Sequence, residues 1–179
     1  MPDDDFTGRT VIVTGANKGL GLEAARHLLR LNASKVILAV RSLSNGNIAR
    51  TNLEASTGRS NAVQVCELDM ANHESVRNFA NQMEAMERLD AVILNAGIYT
   101  QDFVLVDGHE STITVNVINT FLLALLLVPV LRKSSARWHT VPRMSIVSSD
   151  RHVMTDLPEW KADNTFEVLN NEKSNMNER

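Results

Sequence analysis

Two patterns of apolar positions alternate along this chain. Short runs rich in β-branched residues read as strands: Thr10 to Thr14, Lys35 to Val40, Ala62 to Leu68, Asp90 to Leu94 and Met144 to Val147. Between them lie longer stretches with a helical period. Leu20, Ala24, Leu28 and Leu31 share one face of a helix over 20–31, and Val76, Phe79, Ala80 and Met83 follow the i, i+3, i+4, i+7 spacing. A further helix fills 42–55, ahead of Thr57-Gly58. The longest spans 109–131, with Val115, Ile118, Leu122 and Leu125 on one stripe, and Pro129 kinks it or marks its last turns. From Ser148 onward the chain is polar and interrupted by Pro158, so 151–179 read as loop with a helix beginning near Thr165.

Strands separated by helices pair in parallel through right-handed crossovers. The prediction is an α/β fold, an open doubly wound parallel sheet of Rossmann type, as a single domain over 1–179. Ligands on such sheets sit beyond the carboxyl ends of the strands. Each motif discussed below falls at one of those ends.

Composition removes several alternatives. A net charge of −3 offers no concentrated basic face, so no nucleic-acid partner is expected. The longest apolar run, Phe121 to Leu131, falls short of the ~20 residues of a membrane span. The start, Met1 to Asp5, is acidic and does not read as a secretory signal. A lone cysteine, Cys66, cannot form an internal disulfide, and the expected location is the cytoplasm. His27, His73, His109, His139 and His152 show no metal-ligand spacing, so no metal is expected. Trp138 and Trp160 flank the last strand without an evident role.

The informative segment follows the first strand: Thr14-Gly15-Ala16-Asn17-Lys18-Gly19-Leu20-Gly21. Glycines here allow a tight turn, close approach of backbone to a pyrophosphate, and close packing of helix on strand. The helix that follows aims its unpaired N–H groups and positive dipole end at the phosphates. Glycines alone would be weak grounds. Their place between a strand and a helix, at the head of an alternating chain, makes them a nucleotide-binding signal.

The spacing T-G-x-x-x-G-x-G resembles that of the short-chain dehydrogenase/reductase family, and further matches follow in order over residues 8–150. Asp69 resembles the Asp that accepts a hydrogen bond from the adenine amine. Leu94-Asn95-Ala96-Gly97 resembles the N-N-A-G element, with Leu in place of the first Asn. Asn116 resembles the Asn that distorts the long helix and holds a water of the proton relay. Ile146-Val147-Ser148-Ser149 resembles the element carrying the catalytic Ser, which falls on Ser149, or on Ser148 if the register slips by one. The resemblance implies cofactor contacts from Gly15, Asn17, Lys18, Gly19, Leu20, Gly21, Arg41, Asp69, Asn95 and Gly97, with Ser149 and Asn116 catalytic. It also implies a carbonyl or alcohol substrate, and a homo-oligomer through the helix 109–131, the family's usual dimer surface.

The choice of cofactor can be read from the second strand. NAD enzymes place a carboxylate at its end to hold the ribose diol. Here the end is Ala39-Val40-Arg41-Ser42, and Arg41 together with Lys18 offers positive charge to a 2′-phosphate. NADP(H) is therefore expected.

One part of the family's machinery has no counterpart here. The family uses a Tyr as acid/base and a Lys four residues later, but the only tyrosine is Tyr99 and the residue four positions on is Phe103. Tyr99 is expected to border the nicotinamide pocket. Thr165 to Arg179 resembles the insertion that fungal members carry just before that Tyr. The expectation is thus an NADP(H)-dependent oxidoreductase, incomplete at its C-terminal end and inactive as these residues alone. A non-catalytic NADP(H) sensor or interaction protein is the alternative.

Overall fold

The structure is a computed structural model and describes residues 5–154 and 156–172. Its strands are β1 (Thr10–Thr14), β2 (Lys35–Val40), β3 (Val63–Glu67), β4 (Ala91–Leu94), β5 (Leu105–Val106), β6 (His109–Glu110) and β7 (Arg143–Ile146). The helices are α1 (Gly19–Arg30), α2 (Leu43–Thr57), α3 (His73–Glu84), α4 (Ser111–Ile113), α5 (Asn119–Trp138) and α6 (Thr165–Leu169). A π-helical turn, Thr114–Ile118, joins α4 to α5.

Five strands form one parallel sheet in the order β3-β2-β1-β4-β7. β1 lies at the centre, with Ile12 paired to Ile37 on one side and Val92 on the other. Parallel pairing brings all five carboxyl ends to one edge. Side chains alternate along each strand between two apolar layers. Val11 and Val13 pack with Leu28, Leu29 and Leu53 of α1 and α2, whereas Ile12 packs with Phe79, Leu123 and Leu127 of α3 and α5. The predicted doubly wound sheet is observed. Its strand β7 lies at an edge, where Ile146 is 41 % exposed.

Three details differ from the sequence reading. In α1 the buried positions are Gly21, Ala25, Leu28 and Leu29, and Leu20 is 79 % exposed. The helix starts at Gly19, and Gly21 must face the sheet, which rotates the buried stripe by one residue.

The second difference is a hairpin. His109 is not helical: β5 and β6 pair as antiparallel strands across Asp107-Gly108, both at positive φ (47° and 84°). An Asp-Gly pair with both residues left-handed is the two-residue hairpin turn. The long helix therefore begins at Ser111, with the buried Glu110 carboxylate capping it through Thr112 N and Ile113 N.

The third difference concerns phase and length. The helix continues to Trp138, leaving Pro129 inside it on the solvent face, where a missing N–H costs least. A π turn takes in one residue more than an α turn. The core-facing stripe therefore shifts across 114–118: Thr114 and Val115 are buried before it, and Asn119, Thr120, Leu123, Ala124, Leu127, Val130 and Leu131 after it. The predicted stripe kept α-helical phase, so its Leu125 lies 70 % exposed and only Val115 is buried. Taken as one helix, Ser111–Trp138 is long and apolar enough to cross a membrane by length and composition. Here its buried side chains pack with α3 and the sheet, as a core helix does.

Candidate functional site

The carboxyl edge of the sheet is built on Thr14, a hydroxyl that follows the apolar run Val11-Ile12-Val13 at the end of β1. Its Oγ1 accepts from both Asn95 N and Ala96 N at 2.9 Å. Its carbonyl accepts from Asn95 Nδ2, also at 2.9 Å. The ends of β1 and β4 are thereby bound together, and the Asn95 side chain is occupied in holding the loop. The sequence reading passed over Thr14; a buried polar residue immediately before the glycine turn was the available signal.

The turn itself needs its glycines for different reasons. Gly15 and Gly19 sit at φ +64° and +58°, which suits residues without a Cβ. A carbon added to Gly15 would also lie 3.0 Å from Ala96 Cα. The crowding is greatest at Gly21, where a Cβ would lie 2.6 Å from Asn95 Nδ2 and 2.7 Å from Gly15 O. At Gly19 nothing stands within 4 Å of that position. The open side of the turn is therefore at Gly19, and the helix–strand contact is at Gly21. Lys18 is the exposed residue preceding α1, and the helix has no acidic residue in its first turn to compete for an anion. Asn17 is partly buried within the same turn.

Arg41 is exposed one residue past β2, where Ser42 caps α2 by accepting from Asn45 N at 3.3 Å. Asp69 is partly buried beyond β3, with Oδ1 accepting from Ala71 N at 2.9 Å and its own N–H bonded to Ser75 Oγ. Gly97, beyond β4, faces Asn116, whose Oδ1 would lie 3.2 Å from an added Cβ.

Asn116 stands in the middle of the π turn. Its amide pairs with one backbone unit, accepting from Ile98 N at 2.9 Å and donating to Ile98 O at 2.8 Å. At α-helical phase residue 116 would precede the buried Thr120 by one turn and face the core. The π turn brings it to the surface beside the β4 loop. Ser148 and Ser149 follow β7, whose pairing continues through Val147 N to Leu94 O, so both serines leave the strand beside the Asn95–Gly97 loop. Ser149 is exposed and donates to Asp150 Oδ1 at 3.4 Å. Tyr99 lies further along the β4 loop, 76 % exposed. The structure thus places the candidate residues from Gly15 to Ser149 along one edge. Among the described residues no three His, Cys, Asp or Glu side chains are arranged to hold a metal ion.

Comparison with known proteins adds the family. The pattern of the family described as short chain dehydrogenase matches residues 9–138. A short-chain dehydrogenase of Penicillium roqueforti (anuD) is 64 % identical over 180 residues, which covers 100 % of this chain and 47 % of that protein. A second, from Gibberella zeae (FGM9), is 46 % identical over 181 residues, covering 100 % and 53 %. The chain spans about half the length of these curated relatives. Among solved structures, a short-chain dehydrogenase of Shigella flexneri complexed with NADP is 25 % identical, with a TM-score of 0.65 over 92 % of this chain and 65 % of that one. Another, from Escherichia coli CFT073 and complexed with NADPH, is 29 % identical with a TM-score of 0.60, covering 75 % and 57 %.

Proposed function

Because the chain belongs to the short-chain dehydrogenase family, we propose that it binds NADP(H) along the carboxyl edge of its sheet and forms the nucleotide-binding part of a cytoplasmic oxidoreductase acting on a carbonyl or alcohol. The observation that carries the cofactor choice is the pair of exposed cations, Lys18 before α1 and Arg41 after β2, with no carboxylate at the end of β2. The residues fit such a dinucleotide. Glycines 15, 19 and 21 leave three positions of the turn without a side chain, the first turn of α1 lacks acidic groups, and the open side at Gly19 admits a phosphate. Asp69 receives the adenine amine, and the Asn95–Gly97 loop lies along the nicotinamide half. NADP(H), when bound, supplies or takes up hydride.

The chain's own residues would bind and orient. Ser149 directs the substrate oxygen, and Asn116, pinned to Ile98, holds the water of a proton relay. Neither supplies a strong acid: a serine hydroxyl is a poor proton donor near neutral pH, and an amide does not titrate. General acid catalysis is typically worth ~10²–10⁴-fold in rate. Tyr99 is the only phenol in the sequence, and the residue four positions later is Phe103. We therefore propose that these 179 residues bind NADPH without measurable carbonyl reduction.

Titration calorimetry with NADPH and NADH tests the binding. A preference for NADPH of roughly tenfold or more is expected, from charge-assisted bonds to the 2′-phosphate. Arg41→Asp should erase it. Equal affinity of the wild type for both nucleotides would refute the assignment. NADPH consumption with ketones, aldehydes and quinones should stay at background, and turnover that survives Tyr99→Phe would overturn the account of the missing acid.

A further inference from the structure

Beside the nucleotide edge lies a partly buried polar junction that takes no part in the steps above. Asn119 is fully buried at the first turn of α5. Its Nδ2 donates to Met70 O at 2.8 Å, which leaves Oδ1 facing His73 Nδ1 at 2.5 Å. Since Oδ1 can only accept, the His73 nitrogen there carries the hydrogen. Asp107 of the hairpin turn closes the junction, with Oδ2 accepting the His73 backbone N–H and lying 3.8 Å from Nδ1. Four segments meet at these side chains: the turn after β3, the start of α3, the β5–β6 hairpin and the start of α5.

The position in the chain gives the junction its meaning. Met70 follows Asp69, the residue assigned to the adenine end. Asn119 follows the π turn that carries Asn116, assigned to the reacting end. We propose that Asn119, oriented by His73, is a positioning residue that holds the Asp69–Met70 turn in place and so sets the span between the two ends of the nucleotide site. The proposal rests on the NADP(H) reading above. A single amide does this because its two halves face different elements. The NH₂ grips a buried backbone carbonyl of one, the oxygen is held by a ring of the next, and an apolar residue at 119 would remove both contacts.

The test uses the whole chain and two probes, NADPH and 2′,5′-ADP, the latter reporting the adenosine end alone. Asn119→Asp keeps the shape but loses the donor to Met70 O, and should weaken both probes by about tenfold, the order expected when a buried acceptor loses its partner. The His73 variants separate positioning from general damage. His73→Gln, which keeps an N–H for Asn119 Oδ1, should bind better than His73→Leu. Amide exchange without nucleotide gives an independent reading: Asp69 and Ala71 N–H should exchange faster in Asn119→Asp than in the wild type. Unchanged affinity and exchange in Asn119→Asp, or His73→Gln binding no better than His73→Leu, overturns the proposal. A wild-type chain that binds neither probe overturns the NADP(H) reading instead, and exchange then decides whether Asn119 holds the turn.

Discussion

At Gly21 there is no room for even one more carbon: an added Cβ would meet Asn95 Nδ2 at 2.6 Å and the backbone of Gly15 at 2.7 Å. At Gly19, two residues away, the same carbon would project into open space, and only its φ of +58° resists a side chain. The two glycines should therefore fail differently. Gly21→Ala is expected to cost roughly 1–3 kcal/mol of stability through overpacking, read as a lower unfolding midpoint in denaturant. Gly19→Ala should cost about 1 kcal/mol from strain, yet weaken NADPH binding sharply because its carbon occupies the side open to the phosphates. Comparable stability loss with intact binding in both variants would mean the turn is structural only. The glycine spacing was legible in the sequence. Which glycine packs and which stays open was not, because that depends on Asn95, far along the chain in the loop after β4.

Elements were legible where apolar period alone decided them, as in β1, β2 and α3. The region 105–118 was not. Its signals are short: Asp107-Gly108 makes a hairpin of two-residue strands, and the π turn leaves no mark on a hydrophobic pattern except a change of phase. The resemblance, not the period, pointed to a distortion of the helix at Asn116, and the π turn lies there. The cap of α4 supplies a pH prediction. Burial raises the Glu110 carboxyl, but hydrogen bonds from Thr112 O–H and N–H, Ser111 O–H and Ile113 N–H outweigh it and hold the group below its ordinary range. A depressed carboxylate stabilises the fold above its unfolded pKa of about 4.3, and that contribution is lost as pH falls through the lower folded value. Glu110→Gln should lower stability at neutral pH by about 0.5–2 kcal/mol, as loss of a cap does. Its deficit should shrink in acid, where the wild type loses the same bonds. A deficit that stays constant from pH 7 to the acid limb would show that the charge contributes nothing.

At the scale of the whole molecule, the surfaces left bare matter most. Phe121 and Leu125 on α5 are 53 % and 70 % exposed, and Ile146 at the end of edge strand β7 and Val147 just after it are 41 % and 49 %. An edge strand with unpaired backbone groups and apolar side chains invites pairing. We therefore expect the chain to self-associate at micromolar concentrations, and Leu125→Lys with Phe121→Lys to shift light scattering toward the monomer. A clean monomer of the wild type would remove the basis for an oligomer through this helix. The parallel doubly wound sheet followed from the alternation of strands and helices, but its order, β3-β2-β1-β4-β7, did not. The exposed face of α5 did not, since the π turn had moved it.

The tryptophans, silent in the sequence, become useful once placed. Trp138 ends α5 with its indole N–H on Glu87 O at 3.0 Å and the Arg88 and Arg137 guanidinium groups at 4.9 and 5.8 Å from its ring. Trp160 lies in the segment after β7, 63 % exposed. The protein therefore carries two built-in optical reporters with separate addresses. Emission from a Trp160→Phe variant follows the contact between the end of α5 and the loop at Glu87 and Arg88, and emission from Trp138→Phe follows the segment after β7. Recorded through one denaturant titration, the pair shows whether that segment lets go before the sheet does, without any label attached.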